Sequence, residues 1–347
     1  MIDLRSRFEI FLKDSVQRPL WQPPLDLADG TRRHITDLKI PIISSVSQLP
    51  LLLLHNLGQP SHDAQPAKRV DEHFRLESKY HLPFCVLWNK SLISCRTKFL
   101  CNTSGSCETH LLLEGLSSNW GFYFTAHTAP KGVGSSDLEK VLQDLERGLD
   151  KITDGNHATA PIDNQKVARH RSLLLLYVRY VCFRVFLECA AAMNGGITEN
   201  HKRCWLLIQV APVTLLATAD IFLAFIPLAG RASSQYLETA IKVESHIIEQ
   251  LLPQRSTLFC VLDEAQALTR NLVYFRSDTD PAQGRSILHP IVFEWRLILP
   301  NLIVSSTGIL MQEVETVIGS VVAKEGGDPD LVTEIGVFDD EDGRAIV

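Results

Sequence analysis

Four short apolar runs constrain this chain more than anything else in it: TKFLC at 97–101, WGFYFT at 120–125, TLFCVL at 257–262 and LIVSS at 302–306. Each is rich in aromatic or β-branched residues and is bounded by polar or turn-forming ones. That is the pattern of a strand buried on both faces. Helical periodicity fills the spaces between them. Strands that alternate with helices pair in parallel through crossovers, with helices covering the sheet on either side. The expected fold class is therefore α/β, a mainly parallel sheet in a three-layer arrangement, with a helical insertion between the second and third runs.

The helical segments read as follows. THLLLEGL at 109–116 follows the first run. After GVGSSD, the positions Leu138, Val141, Leu142, Leu145 and Leu149 form an apolar stripe, with Ser135 or Ser136 as N-cap. A long helix is predicted from about 166 to 194, with the charges Arg179, Arg184 and Glu188 steered to one edge. Residues 205–229 are long and apolar enough to suggest a membrane span, but Gln209, Pro212, Asp220 and Pro227 interrupt them. A carboxylate near the middle of such a helix costs about 2.5–3.5 kcal/mol in lipid, so two buried elements broken near Pro212 are expected instead. Further helices are predicted at 233–252, 265–275 and 285–299, the last with His289-Pro290 near its start or at a kink.

Charge and cysteine usage narrow the function. The net charge is -6, and residues 321–347 carry all of it, with eight carboxylates against Lys324 and Arg344. No basic stripe is present, which argues against a nucleic-acid partner. The eight cysteines form no CxxC pair and no zinc-type spacing with histidine, so they read as reduced core residues. The first fifteen residues carry charges throughout and do not resemble a signal peptide. A cytoplasmic or nuclear protein with no membrane partner is expected. The chain divides into 1–79 of unassigned role, a domain at 80–320 and an acidic tail at 321–347.

Three motifs bear on chemistry. NTSGSCETHLLL at 102–113 follows a strand and opens a Leu-rich helix, which is the outline of a phosphate-binding loop. Such a loop aims consecutive backbone N–H groups at phosphate, uses lysine on the β- and γ-phosphates, and holds Mg²⁺ with Ser or Thr. Against GxxxxGK[ST], residues Asn102, Thr103, Ser104, Gly105, Ser106, Cys107, Glu108 and Thr109 keep the small polar centre and the final Thr. They lack both pattern glycines and the lysine. TLFCVLDEAQ is an apolar strand ending in Asp263 and Glu264. In a Walker B element the first acid holds Mg²⁺ and the second activates water. The alternative is an ordinary strand whose next helix starts with dipole-favouring acids. LIVSSTG ends in Ser306 and Thr307, as a γ-phosphate sensor strand would, or as a strand entering a turn.

In order along the chain, FLCNTSGSCETHLLLEGL, NWGFYF, GSSDLEKVL, KRCWLLIQ, LFCVLDEAQ and LIVSSTG resemble the P-loop ATPase-like (AAA/STAND-like) proteins abundant in fungi, some joined to Crinkler-type effectors. The resemblance runs from about residue 80 to the end. It implies an ATPase fold, Mg-ATP as cofactor if any is bound, Thr109 and Asp263 at Mg²⁺, Glu264 as the catalytic carboxylate that activates water, and Ser306 and Thr307 as sensors. It also implies a lid region beyond the acidic tail, so the chain reads as truncated relative to that family. Glu108 stands where the lysine belongs. A like-charge pair at contact distance costs about 4 kcal/mol at an effective dielectric near 20. Asn102 and Cys107 add Cβ atoms where glycine lets backbone approach oxygen, and His110 replaces a frequent arginine. The expectation is a degenerate NTPase-like protein with nucleotide binding weak or lost and hydrolysis absent. The alternatives are an active ATPase, a non-enzymatic scaffold for an unidentified protein partner, and a decaying gene product.

Overall fold

The computed structural model describes residues 3–14, 28–37, 57, 70, 72, 74, 96–102, 108–126, 133–153, 159–216, 219–253, 256–269, 274–276, 284–299, 301–307 and 330–332. The strands among them are β1 (Arg96–Asn102), β2 (Trp120–Thr125), β3 (Leu258–Asp263), β4 (Phe275–Arg276), β5 (Gly284–Arg285), β6 (Asn301–Thr307) and β7 (Asp330–Val332). β4 and β5 form a small antiparallel ribbon. The other five make one sheet in the order β2-β3-β6-β1-β7, and every pairing in it is parallel. The four apolar runs read from the sequence are its four longest strands.

The helices are α1 (Leu4–Asp14), α2 (Asp29–Asp37), α3 (Glu108–Ser118), α4 (Asp137–Gly148), α5 (Ala160–Ala191), α6 (Glu199–Val210), α7 (Pro212–Leu215), α8 (Ile221–Ala229), α9 (Ser234–Leu251) and α10 (Leu288–Arg296). The stretch from α4 to α9 lies between β2 and β3, so the insertion is helical as expected. Alternation along the strands divides their side chains between two cores. Phe122, Phe124, Cys260, Leu262 and Val304 pack with α1, α4, α5, α9 and α10. Tyr123, Phe259, Val261 and Ile303 point the other way, onto α3 and one side of α6. The result is helices on both faces of a parallel sheet.

Helix α5 organises the insertion. Its 32 residues have Pro161 in the first turn, where a missing N–H costs nothing, and from Leu173 to Ala190 they are buried except along a strip that carries Arg184 and Glu188. The expected steering of its charges to one edge fails at Arg179, which is fully buried. Its guanidinium makes two 2.9 Å bonds to the Asp137 carboxylate and lies 3.7 Å above the Phe222 ring. A buried charge survives only when paired in this way. Asp137 opens α4. The Ser135 hydroxyl, rather than the Ser136 side chain, receives its N–H. Ser135 in turn donates to Asp220, which caps α8 by accepting from the Phe222 and Leu223 amides.

The segment at 205–229 is broken as expected, into the end of α6, the short α7 and α8, and no described helix is long and apolar enough to cross a membrane. α6 has a second task. β2 is an edge strand, and its outward Tyr123 N–H and Gly121 C=O need partners. The Gln209 side chain supplies both, accepting from Tyr123 at 2.9 Å and donating to Gly121 at 3.1 Å, while the Trp205 indole adds a 2.7 Å bond to Gly121. One amide side chain thus imitates the peptide of a missing neighbour strand.

Two helices differ from the sequence reading. At 265–275 the expected helix is a 3₁₀ turn over Ala265–Leu268, and Phe275 begins a strand. The residue that opens this turn, Glu264, has a left-handed backbone (φ 57°, ψ 35°). The helix expected at 285–299 starts only at Leu288, because Gly284 and Arg285 pair with β4. His289 and Pro290 then fall in its first turn, one of the two placements foreseen. At the other end of the chain, α1 packs on α5. Phe8 meets Phe186 edge-on at 5.7 Å, Arg5 pairs with Glu188, and Arg7 donates to the Leu216 carbonyl at 3.1 Å.

Candidate functional site

Parallel β1, β3 and β6 bring their carboxyl ends to one edge of the sheet, the edge at which open α/β sheets bind ligands. β6 lies between the other two. Asn102, the last residue of β1, is level with Thr307. Leu262 is level with Val304, and Gln266 on the turn after β3 reaches the Ser306 hydroxyl. α3 starts at Glu108, six residues after the end of β1. The strand order therefore assembles the ends of all three motifs that the sequence singled out. Thr103, Ser104, Gly105, Ser106 and Cys107 lie outside the described residues, so the loop itself is known by its two ends.

Thr109 and Asp263 meet across 154 positions of sequence, with the threonine hydroxyl donating to Asp263 Oδ2 at 2.9 Å. The Tyr123 hydroxyl donates to the same oxygen at 2.9 Å, and the Glu264 N–H donates to Oδ1 at 2.9 Å. Asp263 is 3% exposed. Burial pushes its carboxyl up to about 6, against the pull of the two hydroxyls, and the neighbouring Glu264 charge adds to the rise. Burial and the Asp263 charge together raise the Tyr123 phenol well above its ordinary value, so it remains a donor. Because the Thr109 hydrogen is committed to Asp263, the lone pairs of its oxygen are what it can offer a cation.

Glu264 is the only non-glycine residue with positive φ among those described. Such a conformation costs about 1–3 kcal/mol and concentrates at functional positions. Its carboxylate accepts a hydrogen bond from the Gln266 side-chain amide, whose carbonyl accepts from the Ser306 hydroxyl at 2.9 Å. Ser306 is 1% exposed. Thr109, Asp263, Glu264 and Ser306 are thus gathered at one sheet edge, and two further residues join them. Tyr123 sits within WGFYFT, where a lone tyrosine between phenylalanines reads as core. Gln266 sits in LDEAQ, where the polar residue after two acids reads as part of a helix. Only the strand pairing and the left-handed turn bring their polar ends into play.

The donor set matches one half of a Mg-nucleotide site. A hydroxyl beside a buried carboxylate suits Mg²⁺, which takes few protein ligands and keeps its waters. The phosphate half does not match. The residue preceding Thr109 is Glu108, and the nearest cation on β1, Lys98, donates instead to the Glu72 backbone carbonyl at 2.9 Å. Among the described residues no group of three His, Cys, Asp or Glu side chains could hold a metal by itself. No family model, curated protein or solved structure matches this chain, so the site stands on its own geometry.

Proposed function

We propose that the chain is a degenerate P-loop NTPase-like protein: the cation-binding and water-activating side of the site is retained, and the phosphate-binding side is lost. The observation that carries this reading is the Thr109–Asp263 hydrogen bond, made between a loop-derived helix start and a strand-end acid with β6 between their strands. The ordered resemblance from residue 80 onward points the same way. Glu108 then decides activity, because it sets a carboxylate where a triphosphate needs a lysine, a repulsion of about 4 kcal/mol before the missing attraction is counted. Nucleotide binding is weak or lost and hydrolysis does not follow. Isothermal titration of the full chain with Mg-ATP should show no binding in the micromolar range. Micromolar binding, with turnover abolished by Glu264→Gln, would overturn the proposal.

A scaffold role is the second reading, and the state of Asp263 favours it. Its two oxygens already accept three hydrogen bonds from within the chain, so the site holds together without a ligand. Combined reversion of Asn102→Gly, Cys107→Gly and Glu108→Lys separates the two. Mg-ATP binding gained by the revertant means that only the loop was lost. A revertant that still binds nothing means that the retained groups serve the fold alone.

A further inference from the structure

The first turn of α6 is closed by an acceptor that can take up a proton. In a capping box the side chain at the third helical position reaches back to the N-cap amide, and Glu or Gln usually fills that place. In α6 it is His201, whose Nδ1 accepts from the Thr198 N–H at 2.9 Å. A backbone N–H can only donate, so Nδ1 is bare and the hydrogen of the neutral ring sits on Nε2. Protonation puts a second hydrogen on Nδ1, facing the amide. That hydrogen has the Thr198 hydroxyl at 3.1 Å to turn to, but the amide still loses its acceptor. A helix N-terminus also disfavours a cation. His201 is 8% exposed and stands edge-on to Phe186 of α5 at 6.4 Å.

The neighbouring charges are Glu199, Lys202 and Arg203 on α6, Arg184 and Glu188 on α5, Arg5 on α1, and Glu108, His110 and Glu114 on α3; β2 and α7 carry none. Glu199 pairs with Lys202, and Glu188 with Arg184 and Arg5. Burial, not any of these charges, holds the imidazole below its ordinary 6.5. A shift of this sign leaves the capped helix fully favoured above about 6.5 and costs it stability as pH falls from there. One and two turns beyond His201 are Trp205 and Gln209, whose side chains occupy the Gly121 carbonyl and the Tyr123 N–H on the edge of β2. We infer that His201 is a pH-operated latch on α6: neutral, it holds the helix across the β2 edge, and protonated, it loosens the first turns and uncovers that edge. The inference is independent of the NTPase-like reading.

The test follows hydrogen exchange at the Trp205 indole N–H and the Tyr123 amide in the full-length parent, His201→Gln and His201→Ala, at pH 8 and pH 5. Gln keeps an acceptor that does not titrate, and Ala has none. Comparing proteins at one pH cancels the intrinsic exchange rate and the titration of Asp263 and every other shared group. At pH 8 the parent should exchange like His201→Gln, and His201→Ala about fivefold faster. At pH 5 the parent should run ahead of His201→Gln by about threefold to thirtyfold, the upper limit being that of a released histidine titrating at 6.5. A parent that matches His201→Gln at both pH values, or leads it by one constant factor, overturns the latch, as does a His201→Ala protein that exchanges like His201→Gln at pH 8. Ring-nitrogen NMR of the parent alone gives a second check. A neutral His201 with its hydrogen on Nδ1, or a ring that titrates above 6.5, would also overturn it.

Discussion

Asp263→Asn separates what the site costs the fold from what it can do. Burial raises the Asp263 carboxyl from 3.8 to about 6, so the folded chain holds that proton more tightly than the unfolded one. A shift of this sign leaves the folded state most favoured at low pH. The penalty is absent below about 3.8, grows as pH rises, and is complete above about 6, where it reaches roughly 3 kcal/mol. An asparagine has no charge to bury. Its oxygen still accepts from Thr109 and Tyr123, but its NH₂ opposes the Glu264 N–H, a loss of about 1 kcal/mol that does not vary with pH. The pH dependence of the difference between variant and parent therefore isolates the buried charge. Between pH 5 and pH 8, the variant should gain about 1.4 kcal/mol on the parent. Urea unfolding in EDTA, followed by the fluorescence of the buried Trp120, Trp205 and Trp295, reads this directly. A difference that stays flat to within about 0.3 kcal/mol, or moves toward the parent as pH rises, would refute the reasoning.

Two further outcomes follow from the packing. Arg179→Met strands Asp137 in the core and should destabilise the chain by about 3–5 kcal/mol, whereas adding Asp137→Leu should recover most of the loss. Urea midpoints of the two singles and the double decide it, and additive losses would count against a buried pair. Gly115→Ala should also destabilise, by about 1–3 kcal/mol, although alanine normally strengthens a helix. Its Cβ would fall 2.0 Å from the Phe74 ring. Thermal unfolding with and without Phe74→Ala checks this, since the second change should cancel much of the first.

The sheet was legible because its strands are short, continuous and buried, so each stands out without knowledge of its neighbours. Their parallel pairing followed from the helices between them. The meeting of Thr109 with Asp263 was foreseen only through the ordered resemblance, since neither residue's own surroundings name the other. Arg179 was misplaced because helical periodicity assigns a lone charge to the rim, and its partners Asp137 and Phe222 come from other helices. The helix expected at 265–275 is a 3₁₀ turn, and the left-handed Glu264 that opens it is something no side-chain preference announces. Tyr123 and Gln266 escaped for a related reason: their polar ends acquire meaning only when three strands are set side by side. Gln209 belongs with them, since nothing local marks a glutamine as the seal of a sheet edge.

The seating of α1 on α5 has a consequence for how the chain is made. Arg5 and its partner Glu188 are 183 residues apart, and Phe8 and Phe11 are buried only when that distant helix is present. At about 5–20 residues per second, synthesis leaves α1 without its partner for roughly 10–40 s. During that interval an amphipathic segment with two aromatic side chains waits in solvent for a surface that does not yet exist. A chaperone that meets this protein on the ribosome would find its first handle there, and a chain released before residue 190 would never lose it.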